Sequence, residues 1–160
     1  LTRGGFYTKK GRNFKIEFEF NSNYKMDSLR ELEIGQEKYW DKLSSKTLDL
    51  DGKWLMAGRM TDNVERRRDV SRPRKTMKIL SGTRFQWIAY NTETKKFMGT
   101  GGGTYTTKNG NYNENIEFFS RDNSKSGLKL KFDYEIIDNQ WNHKGFSSKG
   151  DPLHEIWISR

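Results

Sequence analysis

The sequence predicts an all-β protein, an antiparallel up-and-down β-barrel with extra strands in front of it from a preceding half-repeat. Three observations predict it. Apolar and polar residues alternate with period two along several segments. Turn dipeptides separate those segments. Part of the pattern also occurs twice: Gly4-Gly5-Phe6-Tyr7-Thr8, a turn and Phe14 to Phe20 recur as Gly102-Gly103-Thr104-Tyr105-Thr106, a turn and Tyr112 to Phe118. A shift of about 98 residues aligns Tyr7 with Tyr105, Phe14 with Tyr112, Phe20 with Phe118 and Ser22 with Ser120.

Each element has its own signal. Phe14, Ile16, Phe18 and Phe20 alternate with Lys15, Glu17 and Glu19, as a half-buried strand requires. Leu128, Leu130, Phe132, Tyr134 and Ile136 do the same later in the chain. Met77 to Ile79, Phe85 to Ala89, Trp141 to His143 and Leu153 to Ile158 are further strands. Asn109-Gly110 predicts a two-residue hairpin turn, because both central positions need positive φ. Lys10-Gly11, Ser81-Gly82, Asp138-Asn139 and Gly150-Asp151-Pro152 mark other turns. Residues 62 to 70 carry little apolar surface and read as a long loop. The glycines from Gly99 to Gly103 read as a loop and strand start that needs close backbone approach or a bulge. From Asp51 onward about eight strands fit, and an eight-strand closed barrel holds either filling side chains or one small ligand.

Composition narrows the possibilities. Apolar residues make up 32% of the 160-residue chain, yet it carries 10 Phe, 7 Tyr and 5 Trp. A disordered chain is poor in rings, so the core or cavity is built from aromatics. The absence of cysteine removes disulfides, thiol catalysis and thiolate metal sites. No apolar run approaches the roughly 18 residues of a membrane helix. Net charge is +9, and about five of those charges fall between Glu65 and Lys78, where Arg66, Arg67, Arg68, Arg72, Arg74, Lys75 and Lys78 face only Glu65 and Asp69.

Leu50-Asp51-Gly52-Lys53-Trp54 resembles the Gly-x-Trp signature of lipocalins on the first strand of an eight-strand barrel. The stretches Lys78 to Trp87, Gly101 to Tyr105, Glu114 to Ser120 and Ser148 to Pro152, with Glu155-Ile156-Trp157, resemble uncharacterised lipocalin-like (calycin-type) membrane-associated or secreted proteins of Bacteroidota. The resemblance implies that residues 49–160 form a lipocalin-like barrel, with residues 1–48 as the C-terminal half of a preceding, diverged unit whose other strands lie upstream. It also implies an extracytoplasmic location: periplasm, outer-membrane-associated or secreted. In that family the Trp closes one end of the barrel beside a basic residue, for which Arg59 and Arg160 are the candidates here. The resemblance brings no ligand, cofactor or catalytic residue.

The side chains point to binding rather than catalysis. Trp87, Tyr105, Phe118, Tyr134 and Trp157 come from five strands and are candidates for a ring-lined interior. The basic connection lies over the barrel mouth in such folds, so Arg66 and Arg68 are candidates for contacting an anion through forked hydrogen bonds. His143, beside Trp141, completes the candidate ligand site. A His143 pair with Asp133 or Glu117 is the one acid–base arrangement open to a small barrel enzyme acting on a sugar or lipid. Neither histidine has metal-ligand spacing, and no cofactor is expected.

The expected function is therefore non-enzymatic binding of a small amphipathic or anionic molecule. A ligand burying about 200 Å² against the rings would gain roughly 5 kcal/mol before ordering costs. An accessory or structural subunit of an outer-membrane or secreted assembly, docking an outer-membrane protein partner, is the alternative. Nucleic-acid binding is disfavoured, because the charge is gathered in one connection rather than along a ring-bearing sheet face.

Overall fold

In the computed structural model, which describes residues 1–35, 44 and 46–160, two antiparallel sheets account for nearly all regular structure. The first contains β1 (Arg3–Lys10), β2 (Asn13–Asn21) and β3 (Glu31–Gly35), with the short helix α1 (Tyr24–Asp27) between β2 and β3. The second runs through β4 (Gly52–Thr61), β5 (Val64–Arg67), β6 (Arg74–Ser81), β7 (Arg84–Asn91), β8 (Phe97–Lys108), β9 (Asn111–Phe119), β10 (Lys129–Ile137), β11 (Gln140–Phe146) and β12 (Pro152–Ser159). From β6 onward each strand pairs with the next in sequence, and β12 returns to pair with β4. That pairing closes an eight-strand up-and-down barrel of β4 and β6 to β12, the fold class the alternation predicts.

The turns follow the chemistry of their residues. Asn109 and Gly110 both hold positive φ, 50° and 77°, and join β8 to β9. Asp138-Asn139 does the same between β10 and β11 at 49° and 60°. Asp62-Asn63 is a third such turn, at 51° and 59°, and it corrects the expectation of a loop over residues 62 to 70. It folds β5 back along the second half of β4, pairing Gly58 with Arg67 and Thr61 with Val64. The same dipeptide at 138–139 was the available signal, but β5 is exposed throughout and offers no apolar alternation. The glycine run is likewise inside a strand, the middle of β8, rather than at a strand start.

Inward-facing rings build the core. Trp54, Phe85, Tyr105, Tyr112, Phe132, Trp141 and Trp157 form one buried cluster with Leu50, Met56, Leu80 and Ile116. Trp54 Nε1 donates to Leu50 O at 2.8 Å, and its ring meets Trp141 edge-on at 5.7 Å. Neither expected basic residue serves it: Arg59 pairs with Glu155, and Arg160 with Glu19. Both arginines are drawn to carboxylates on neighbouring elements, and the cation held among the core rings is Lys78.

Each sheet carries a bulge opposite a glycine pair. In β8–β9, Gly102 pairs with Phe118 and Gly103 with Ile116, so Glu117 is the extra residue of a bulge. In β1–β2, Gly4 pairs with Phe20 and Gly5 with Phe18, which leaves Glu19 extra. The first sheet docks on the outer barrel wall through that bulge. Phe20 packs against Tyr90 at 4.7 Å beside Leu55, Met77 and Ile88. Glu19 accepts two hydrogen bonds from Arg160, at 2.5 and 2.6 Å.

Candidate functional site

The inner faces of β4, β6, β7 and β9 to β12 enclose a cavity of about 350 Å³. Its deep walls are Ile116, Phe132 and Trp157 with four buried polar residues, Lys78, Glu114, His143 and Glu155. Its rim is basic, with Arg59, Arg68, Arg74 and Arg121 all solvent-exposed.

Closure of the barrel brings the deep polar residues together. Lys78 Nζ donates to Glu114 Oε1 at 2.9 Å, with both side chains nearly inaccessible at 5% and 6%. Tyr112 donates its hydroxyl to the same oxygen at 2.7 Å. The Lys78 ammonium lies 5.0 Å from the Trp141 ring and 5.2 Å from those of Trp157 and Tyr112, within cation–π range. A buried cation is tolerated here because one carboxylate and several ring faces replace its water. Tyr112's hydroxyl is pushed well above its ordinary value, by burial first and by the Glu114 carboxylate next.

His143 is paired in register with Glu155, and its Nδ1 lies 3.9 Å from Glu155 Oε2. That distance is too long for a hydrogen bond, and the other carboxylate oxygen accepts from Arg59 Nη2 at 2.9 Å. Burial, followed by Lys78 and His154, holds His143 well below the ordinary imidazole value, so it is neutral. The acid–base pairs predicted for it do not form. Asp133 lies opposite Lys144 in the sheet, and Glu117 pairs with Arg84. Among the described residues no group of three or more His, Asp or Glu is placed to hold a metal ion.

This burial has a consequence for stability. Above about pH 6.5 imidazole is neutral in both folded and unfolded chains and contributes nothing. Below it the unfolded chain takes up a proton that His143 refuses, so stability falls on acidification. His154, also lowered by burial first, adds in the same direction. We expect the urea midpoint to drop steadily between about pH 6.5 and 5, with His143→Leu losing much of that slope. A midpoint flat across this range would contradict a buried neutral His143.

The rim arginines come from separate elements. Arg68 follows β5, Arg74 begins β6 and Arg121 follows β9. Arg74 is lowered, by burial first and then by the positive charges of Arg68 and Arg121. Among the described residues none of these three forms an ion pair, although Arg121 donates to Met98 O at 2.8 and 3.0 Å. The rim also opens sideways. The first half of β4 pairs with β6, but its second half pairs with β5, so β4 and β6 part beyond Leu55. A second hollow of about 540 Å³ lies in that gap and shares Met56, Arg68, Arg74 and Thr76 with the cavity.

The residues singled out from the sequence divide accordingly. Trp87, His143, Trp157 and Arg68 line the cavity. Tyr105 is buried in the core, where it hydrogen-bonds Asp51. Tyr134 packs beside the core and bonds Asp49, with its hydroxyl pushed up to about 12 by partial burial and that hydrogen bond. Phe118 is 41% exposed, because the bulge at Glu117 reverses the alternation and turns Phe119 inward instead. Arg66 lies opposite Arg59 on exposed β5 and does not reach the cavity. Sequence reasoning missed Lys78, Glu114, Glu155, Arg74 and Arg121. Only the polar Glu114 between the apolar inward positions Tyr112 and Ile116 offered a local signal.

The sequence model of a family described as a domain of unknown function, DUF4488, matches residues 49–159, the span of the closed barrel. The chain belongs to the DUF4488 family. In this DUF4488 chain the match covers β4 to β12, the cavity and the rim arginines, and leaves β1 to β3 outside. A lipocalin-like protein from Bacteroides uniformis is similar in structure at 16% sequence identity and a TM-score of 0.47, over 70% of this chain and 99% of that one. No curated protein matches the DUF4488 chain.

Proposed function

We propose that the barrel binds a small amphipathic anion, with its apolar body against Trp87, Phe119 and Trp157 and its charged group among Arg68, Arg74 and Arg121. The observation that carries this reading is the rim itself. Arg68, Arg74 and Arg121 share the rim without a carboxylate partner among the described residues, and Arg74 is depressed by burial first and then by the other two. Such self-repulsion costs stability and is relieved when an anion binds. The cavity volume lies at the small end of ligand pockets. The role is non-enzymatic carriage or sensing outside the cytoplasm, in the periplasm, at the outer membrane or secreted. The shared bulge supports reading β1 to β3 as a diverged copy of β8 to β10. An accessory role in an outer-membrane or secreted assembly is the second reading. It is favoured by the apolar hollow on β1–β3 between Tyr7, Phe14, Ile16 and Leu32.

Naphthalene-2-sulfonate is a suitable probe, its binding read by calorimetry and by quenching of Trp87 and Trp157. Arg74→Gln is expected to weaken binding about tenfold or more, the scale of one charged hydrogen bond, while thermal stability holds or rises. Affinity should also fall with added salt. Equal affinity of wild type and the Arg68→Gln/Arg74→Gln double variant would overturn the reading.

A further inference from the structure

The hollow between β4 and β6 is a slot through the barrel wall. Met56 and Thr76 line it from the inner face, since both also line the cavity. Leu55 and Lys75 line it from the outer face. Leu55 packs with Phe20 and Met77 in the cluster outside the barrel, and Lys75 alternates with Thr76 along β6. The ladder between β4 and β6 ends at Leu55 and Met77, which leaves the gap open beyond them. Arg68 and Arg74 line both spaces, so they stand at the waist where the cavity passes into the slot.

The slot carries more positive charge than its own carboxylate can balance. Five cations line it, Arg67, Arg68, Arg72, Arg74 and Lys75, against one carboxylate, Asp69. Two of the five have acidic partners: Arg67 pairs with Glu65, and Arg72 lies 3.6 Å from Asp69. Lys75 Nζ donates to the carbonyl oxygens of Val70 and Arg72 at 2.7 and 3.2 Å, which orders the ammonium without neutralising it. Among the described residues Arg68, Arg74 and Lys75 are left without a carboxylate. A space of 540 Å³ is about 10 Å across, no wider than the screening distance in about 0.1 M salt, so an ion inside it feels all three charges. A single negative charge would balance only one of them. A tetrahedral dianion has three terminal oxygens and can meet several cations at once. We infer that the head of the ligand carries two negative charges, as a phosphate monoester does, with Arg68 and Arg74 at the waist and the charge of Lys75 on the slot side. This inference rests on the proposed binding of an amphipathic anion and specifies its head.

Two probes with one apolar body test it. 2-Naphthyl sulfate and 2-naphthyl phosphate both present a tetrahedral head, and above about pH 7 they differ by one charge. At about pH 8 the phosphate is expected to bind the wild-type protein about tenfold tighter by calorimetry, the scale of one added charged hydrogen bond. The advantage should fade towards about pH 5.5, where the phosphate also becomes a monoanion. Lys75→Gln should cut the ratio of the two affinities severalfold. Arg66→Gln removes the same charge from exposed β5, outside both spaces, and should leave the ratio in place. The wild-type comparison stands even if Lys75→Gln fails to fold, and Arg72→Gln then removes an exposed charge from the slot in its stead. Equal wild-type affinities would overturn the two-charge head and leave the monoanion site standing. A ratio that Lys75→Gln lowers no more than Arg66→Gln does would assign the advantage to net charge and overturn the slot. Failure of both probes to bind would overturn the amphipathic-anion reading together with this one.

Discussion

Gly103→Ala is expected to cost the barrel about 3 kcal/mol or more and to leave little folded protein in a thermal scan. A Cβ at Gly103 would lie 2.0 Å from Asn115 O and 2.8 Å from Glu117 N. Both are backbone atoms, so no rotamer change relieves the clash. The bulge that pairs Gly103 with Ile116 would have to open, and with it the register that turns Ile116 and Phe119 towards the cavity. The companion variant sharpens the test. At Gly5 a Cβ would meet Glu17 O at 1.8 Å, the same collision at the equivalent place in the first sheet. Gly5→Ala should loosen β1–β3 and spare the barrel, whose near-ultraviolet signal comes from Trp54, Trp87, Trp141 and Trp157. If Gly103→Ala unfolds within about 0.5 kcal/mol of wild type, the bulge is not holding the barrel together.

Lys78→Met should destabilise the protein by about 3 to 5 kcal/mol, because it leaves Glu114 buried without its cation. Glu114→Gln keeps an acceptor for the Tyr112 hydroxyl but leaves Lys78 charged among the rings. The double variant Lys78→Met/Glu114→Gln removes both charges and is expected to lie closer to wild type than Lys78→Met alone. Burying the pair costs nearly as much desolvation as its attraction returns, whereas a lone buried charge pays the cost with no return. Urea unfolding of the four proteins gives the coupling directly. Additive losses would mean that water reaches the pair and screens it.

The contrast between Phe118 and Lys78 shows how far local reading goes. The period-two pattern places β9 correctly, and it predicts Phe118 inward because Tyr112, Glu114 and Ile116 are inward. One extra residue at Glu117 reverses the phase for everything after it. The bulge was foreshadowed by the glycine pairs at 4–5 and 102–103, but its position on the partner strand was not. Lys78 looked like one more positive charge in a basic connection. It is instead the buried centre of the barrel, because β6 begins at Arg74 and Lys78 falls on an inward position within it.

Apart from β5 and its Asp62-Asn63 turn, strand order, hairpin turns, the glycine pairs and the ring-built core are legible in the residues alone. Each depends on side-chain periodicity or on the φ values a few neighbouring residues can adopt. The candidate site is not legible in that way. Arg68, Arg74 and Arg121 meet at the rim, and Arg59 reaches Glu155, only because β12 pairs with β4 and closes the sheet at one particular stagger. Closure joins residues about a hundred positions apart, and no local pattern specifies the stagger. The sequence by itself determined that a ring-lined barrel would form; the tertiary structure decided which charges surround its cavity.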